Sequence, residues 1–408
     1  MPFSDWFRRM VSGRVAGRAR ARKSVLITAI SAALVVIAGV AVLLIGPDGM
    51  SLHATSVAAA HQDGSASSGP PAPPLQLTSV APGSSARGVN GTSPIQVGFS
   101  APLAADSVMP TLSPAIAGSW KVNGTVATFT PAVGIPGDTA VTLTIPSGPA
   151  GMRSAAGEKA GRGGYLAAGF TRKFSTAPYS TLRLEQLLGQ LGYLPLSWTP
   201  SGAAVQPADA AGQVAAAYTP PAGTFSWQGG YPSMLHGLWA EGAGNMILTG
   251  AVRAFQSEQG LTMDGVAGPT VWSALLKAVA AGHGNANGYT YAVASQSVPE
   301  TLTIWHDGRE VLSSPANTGI PAAPTANGTF PVYERLPFQI MQGTNPDGSH
   351  YADPVSWVSY FDGGDAVHYF PRYSYGFQQS LGCVELPYSE AERAYRYLSY
   401  GSLVTVTG

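Results

Sequence analysis

Ser380-Leu381-Gly382-Cys383-Val384-Glu385-Leu386, with Val367-His368-Tyr369-Phe370-Pro371 upstream, holds the single cysteine of the 408-residue chain. The thiol follows a glycine and lies between apolar Leu381 and Val384, fifteen positions after a histidine. A thiol becomes a nucleophile when a neighbouring base lowers its pKa, and an imidazole within hydrogen-bond reach is the usual device. Glycine beside the nucleophile allows a sharp turn, so that backbone N–H groups around Gly382 and Cys383 point at a developing oxyanion. The plain alternative is a buried cysteine that only fills space.

The wider pattern favours the nucleophile. His368, then Ser380-Leu381-Gly382-Cys383-Val384-Glu385, resembles the L,D-transpeptidase family with its YkuD-type catalytic domain. In that family a His precedes Ser or Thr, often His, then Gly, Cys, an aliphatic residue and Arg or Asn. Asn317-Thr318-Gly319 and Pro324-Thr325-Ala326-Asn327-Gly328-Thr329-Phe330 continue the likeness upstream, so that it spans residues 289–408. Two positions depart from the pattern: Leu381 replaces the frequent His, and Glu385 replaces the Arg or Asn. The first departure leaves His368 as the base.

The resemblance implies a mostly-β catalytic domain and a Cys383 thioester formed with a peptidoglycan stem tetrapeptide. The terminal D-Ala is released and a 3→3 cross-link results. It implies Cys383 as nucleophile, His368 as base, oxyanion donors near Gly382, and Ser380 either orienting the loop or serving as an ordinary turn residue. Trp357, Tyr360, Tyr375, Tyr373 and Phe377 are expected to wall the substrate groove or to be core aromatics. Glu385 is expected to meet a stem ammonium group or to be a solvated carboxylate. Carbapenem-type β-lactams are the implied covalent inhibitors. An L,D-carboxypeptidase, or an inactive wall-binding scaffold, is the rival reading.

No metal or cofactor is expected: the seven histidines show no ligand spacing on a helix face. A serine-dependent D,D-transpeptidase needs Ser-x-x-Lys and Lys-Thr-Gly. No lysine here has a Ser three residues before it, and no Lys-Thr-Gly occurs.

Composition describes a multidomain chain. Charged residues are 11%, with 50 Gly and 33 Pro, which favours short strands, turns and linkers. Formal net charge is +0, yet residues 1–23 carry seven Arg/Lys against one acid, leaving 15 basic and 21 acidic groups in the rest. No basic patch beyond that tail invites nucleic acid. One cysteine excludes an intrachain disulfide.

Residues 24–46 are uncharged and apolar, and as a helix they span ~34 Å, enough for a bilayer. The basic tail 1–23 predicts a cytoplasmic N-terminus and an extracytoplasmic remainder at the cell wall; a cleaved signal peptide is the alternative. Residues 47–74 form a Gly/Ser/Pro linker. Residues 75–178 alternate in short strands punctuated by Pro, Gly and Asn, which predicts a β-sandwich and resembles a bacterial immunoglobulin-like domain. Residues 181–281 hold two helical segments around an unexplained insertion at about 195–245. The second segment, with Pro269 at a helix start, resembles the three-helix peptidoglycan-binding domain; an interdomain strut is the alternative. In the last domain, Asp307-Gly308 predicts a hairpin, strands are predicted at Thr329–Arg335, Pro354–Tyr360, Ala366–Tyr369 and Leu403–Thr407, and Ser389 with Glu392 predicts a capping box.

Overall fold

The computed structural model describes residues 70–408. The predicted cytoplasmic tail, the membrane-spanning segment 24–46 and most of the linker lie outside the described residues. Among the described residues no helix is long and apolar enough to cross a membrane.

The first domain is a β-sandwich. β1 (Leu77–Ala81), β2 (Ile95–Phe99), β4 (Gly118–Asn123) and β5 (Val126–Pro131) form one sheet in the order β1-β2-β5-β4. β3 (Thr111–Ser113), β6 (Ala140–Ile145) and β7 (Phe170–Ser175) form the other, with the short helix α1 (Ala155–Ala160) before β7. The period-2 alternation of these strands sends Val97, Phe99, Phe129, Val141 and Leu143 inward and polar residues outward.

The helical domain is built on α2 (Thr181–Gln190), α5 (Met246–Glu258) and α6 (Pro269–Ala281). Pro269 opens α6 at its first turn, as predicted, and Gly282 closes it in the left-handed region (φ 68°). The stretch between α2 and α5 is structured. It contains a hairpin of β8 (Leu196–Pro200) and β9 (Gly223–Trp227), with α3 (Ala210–Tyr218) between them and the single turn α4 (Ser233–His236) after. Leu184, Leu187, Phe255, Trp272 and Leu275 share one buried cluster with Tyr289, Tyr291 and Leu403 of the last domain. The helical and C-terminal domains therefore pack around a common core. Their contact is close: a Cβ on Gly250 would lie 2.5 Å from the Gly401 carbonyl.

Two sheets make the C-terminal domain. β10 (Thr290–Ser295), β11 (Thr301–His306), β12 (Arg309–Pro315), β13 (Gly328–Pro331) and β18 (Leu403–Thr407) form the first, ordered β12-β11-β10-β18-β13. Asp307 and Gly308 turn the β11–β12 hairpin with positive φ at both positions (46° and 73°), the geometry of a two-residue type I′ turn. β14 (Glu334–Thr344), β15 (His350–Asp362), β16 (Asp365–Tyr369) and β17 (Val384–Leu386) form the second sheet in sequence order. β16 and β17 pair in parallel, Val367 opposite Val384 and His368 opposite Glu385. Helix α7 (Tyr388–Tyr397) packs its Ala391 and Ala394 into the core between the sheets.

Two local expectations are corrected. The strand predicted over Thr329–Arg335 is broken: its first part is β13, and Glu334 begins the long β14 in the other sheet. Ser389 does not cap α7, because the helix already starts at Tyr388 after Pro387 and the Ser389 hydroxyl contacts Glu390. The proline fixes φ at the boundary and takes the capping position.

One buried acid in the helical domain is incompletely satisfied. Glu185 Oε2 accepts the Gly242 N–H at 2.7 Å, Oε1 has no partner, and burial pushes the carboxyl up to about 7. The folded state therefore holds a proton that the unfolded chain releases near the ordinary value of 4.5, so this group costs stability increasingly from about pH 4.5 to 7 and constantly above. Replacing Glu185 with Gln keeps an oxygen for Gly242. It is expected to stabilise the protein by about 1–3 kcal/mol at pH 8, a gain that vanishes below about pH 4.5 in thermal melts.

Candidate active site

The parallel pairing of β16 with β17 decides which side chains meet. Residues in register across a parallel pair point to the same side of the sheet, and side chains along each strand alternate. Val367, Val384 and Leu386 therefore enter the core. His368 and Glu385, together with Cys383 just before β17, take the opposite face and line a cavity of about 430 Å³. The β14–β15 hairpin supplies the facing wall through Gln339, Met341, Tyr351 and Asp353.

Gly382 has φ 117°, a conformation open chiefly to glycine. A Cβ there would also lie 2.2 Å from Asp365 Oδ1. Ser380 is buried and closes this turn: its hydroxyl donates to the Cys383 carbonyl at 2.6 Å and accepts the Gly382 N–H at 3.3 Å. The Gly382 amide, expected as an oxyanion donor, thus points to Ser380.

His368 is 3% exposed, and Nδ1 lies 3.0 Å from the Tyr369 carbonyl. A carbonyl only accepts, so Nδ1 carries the proton and Nε2 keeps its lone pair. Burial pulls the imidazole below its ordinary pKa, partly opposed by the Tyr369 hydrogen bond and the Glu385 charge. The ring is therefore a neutral base at neutral pH.

The thiol departs from expectation. Burial pushes Cys383 up to about 12, a backbone hydrogen bond from Ala366 opposes this, and the Asp365 and Glu385 charges add to the rise. Its sulfhydryl lies 3.8 Å from the Gly364 carbonyl, and no hydrogen bond joins it to His368. At rest the site holds a neutral thiol and a neutral imidazole, not a preformed thiolate.

Glu385 meets no open solvent. It is 4% exposed, and Arg372 grips it through two bonds, Nε to Oε2 and Nη2 to Oε1, both 2.7 Å. Asn317 Nδ2 reaches Oε2 at 3.3 Å, while the Asn317 backbone exchanges hydrogen bonds with that of Glu385. Neither a solvated carboxylate nor an open ammonium receptor describes this group. The adjoining Thr318 is itself held by buried Glu300, through its N–H at 2.6 Å and its hydroxyl at 2.9 Å.

Of the expected groove aromatics, Tyr360 lines the cavity and donates to Gln339 Oε1 at 2.8 Å. Trp357 does not. Simple alternation from Val355 would bring it to the cavity, but the β15–β16 register shifts between Ser356 and Ser359, and Trp357 has φ 62°. That bulge changes the phase: Val358 and Tyr360 take the cavity side, and Trp357 packs between Tyr388 and Tyr395. Tyr375 is also corrected; it lies outside the cavity lining and its hydroxyl donates to the Phe370 carbonyl at 2.7 Å. Tyr373 and Phe377 are solvent-exposed.

Sequence reading missed Asp353, Asp365 and Arg372, which all line the cavity. The Gly363-Gly364 pair before Asp365 was a usable turn signal. An arginine facing an unexpected glutamate in a chain only 11% charged was another.

Residues 290–406 match the L,D-transpeptidase catalytic domain. The fold and the cavity thus belong to a catalytic domain of that class, and the protein is an L,D-transpeptidase. Residues 71–176 match a bacterial Ig-like domain and residues 244–275 a putative peptidoglycan binding domain, so the enzyme carries two accessory modules ahead of its catalytic domain. No curated protein matches the chain. Similar solved structures include an L,D-transpeptidase from Mycobacterium smegmatis, at 16% identity and TM-score 0.28, covering 82% of this chain and 100% of that one. L,D-transpeptidase 3 from Mycobacterium tuberculosis is 17% identical with TM-score 0.27, covering 82% and 99%. The catalytic domain of the E. faecium enzyme is 26% identical with TM-score 0.27, covering 29% of this chain and 96% of that one.

Asp365 lies in the cavity beside the sulfur, and burial raises it to about 6, so above that pH its charge opposes thiolate formation. Changing Asp365 to Asn is expected to speed iodoacetamide alkylation of Cys383 about three- to tenfold at pH 8. The two rates should converge below about pH 6, where the native carboxyl is already protonated; a pH series of alkylation rates followed by mass spectrometry checks both points.

Proposed function

We propose that this L,D-transpeptidase forms 3→3 peptidoglycan cross-links outside the cell, anchored in the membrane by residues 24–46 with residues 1–23 in the cytoplasm. The observation that carries the chemistry is the shared cavity. The sole cysteine, just before β17, and a neutral imidazole on the adjacent strand β16, with a free Nε2, line one pocket.

Cys383 attacks the carbonyl of the diamino-acid residue that precedes the terminal D-Ala. For this, the thiol exchanges its contact with the Gly364 carbonyl for one with His368 Nε2. His368 takes the proton as the S–C bond forms, so the high thiol pKa is met by base assistance in the same step and not by a standing thiolate. Collapse of the tetrahedral adduct breaks the C–N bond, and His368 returns the proton to the departing D-Ala amine. An amine of a second stem then attacks the thioester, its surplus proton passes through His368, and the thiol is regenerated. Ser380 acts as a positioning residue by closing the turn that carries Cys383. Tyr360 forms part of the substrate wall.

The same thiol is expected to open carbapenem-type β-lactams to a stable acyl adduct. The helical and Ig-like domains are read as carriers that bind glycan and hold the catalytic domain at a distance from the membrane. An L,D-carboxypeptidase differs only in that water resolves the thioester.

Intact-mass spectrometry of the extracytoplasmic chain with a stem tetrapeptide is expected to give a Cys383 acyl adduct and dimeric stems. Cys383→Ala should give no adduct, and His368→Gln should slow acylation about 10²–10⁴-fold. Released D-Ala with tripeptide but no dimer would assign the carboxypeptidase instead. The acylation rate should rise with pH through a midpoint below 6.5, because burial lowers the His368 pKa.

A further inference from the structure

We infer that Arg372 reads the terminal carboxylate of the donor peptide and so sets the enzyme's preference for a free C-terminal acid; this rests on the acyl-transfer reading above. Among the described residues that line the cavity, Arg372 is the one permanently cationic side chain, against Asp353, Asp365 and Glu385. Its Nε and Nη2 are spent on Glu385, and Nη2 also reaches the Gln379 carbonyl at 3.0 Å. Its plane is braced on the Phe370 ring, 4.7 Å from the centroid. Nη1 has no protein partner and is not among the buried unpaired atoms. Glu385 thus fixes the guanidinium by one edge and leaves a donor group of the fork free at the cavity.

The position suits a carboxylate just beyond the scissile bond. Glu385 follows Cys383 by two residues on the same face, about 6–7 Å along the chain. In the donor, the terminal carboxylate lies one residue, about 3.5 Å, past the carbonyl that the sulfur attacks. A peptide with that carbonyl at Cys383 and its C-terminus running along β17 brings its carboxylate to the Arg372 side of the cavity. Asp365 disfavours a carboxylate beside the sulfur, while Asp353 lies close enough to Arg372 to interact with its charge. Arginine held by a buried carboxylate loses little freedom on binding, and its N–H groups match carboxylate oxygens.

Two tetrapeptides, one with a free C-terminal carboxylate and one with a C-terminal amide, test the assignment through the ratio of their kcat/KM values for Cys383 acylation. The native enzyme is expected to favour the acid about ten- to a hundredfold. Arg372→Gln should bring the ratio close to one. Arg372→Lys, which keeps a cation for Glu385 and guards against loss of folding, should lower it at least fivefold, because an ammonium held by Glu385 lacks the second arm of the fork. Equal rates for acid and amide in the native enzyme overturn the assignment, as does a ratio unchanged in both variants while both substrates slow together, which makes Arg372 a loop support only. No adduct from either peptide with the native enzyme overturns the acyl-transfer reading itself.

Discussion

Three backbone pairs between β16 and β17 hold the site together. Because the strands run parallel, His368 falls opposite Glu385 and Val367 opposite Val384. One face of that short ladder is core and the other is cavity. A slip of one residue would send the imidazole into the hydrophobic layer and the valines into the pocket. Register is secured from both sides: Val367, Val384 and Leu386 are buried among Ala391, Ala394 and Leu398, and Glu385 is tied to Arg372 and Asn317 on the other.

The carboxylate in that tie is a substantial commitment. A buried ionised acid is costly unless its lone pairs are filled, and here a bidentate guanidinium and an amide fill them. The same contacts join three separate segments: the strand after Cys383, the loop that carries Arg372, and the stretch around Asn317. Glu300 repeats the device one layer deeper by holding Thr318. The cavity wall is therefore rigid where polar side chains are buried, and it is formed by a long hairpin where they are exposed.

The electrostatics of the sulfur follow from the same packing. Burial beside Asp365 and Glu385 disfavours thiolate, while burial of His368 disfavours imidazolium. Both groups are neutral at rest, so in the proposed reaction the charge pair arises only as a substrate carbonyl accepts the sulfur's electrons. A raised thiol pKa lowers the thiolate fraction available to small electrophiles, while the proposed reaction relies on a carbonyl held next to the imidazole.

Much of this was legible along the chain. The strand alternation of the sandwich, Pro269 at a helix start and the Asp307-Gly308 turn are local patterns, carried by side-chain period, fixed φ and turn chemistry, and the lone cysteine and His368 singled out along the chain line one cavity. What lay beyond sequence depended on phase and on distant partners. Trp357 left the groove because a bulge with one extra residue reversed the faces of β15, and Ser389 lost its capping role to a neighbouring proline. Asp365 entered the site because Gly382 allows it to approach the turn, and Glu385 exchanged solvent for Arg372 across thirteen residues of loop. Sequence alone determined which chemistry the chain carries, since residue types and their local spacing set that. Only the tertiary structure decided which charges face the sulfur, because strand register and burial bring together groups that no local pattern connects.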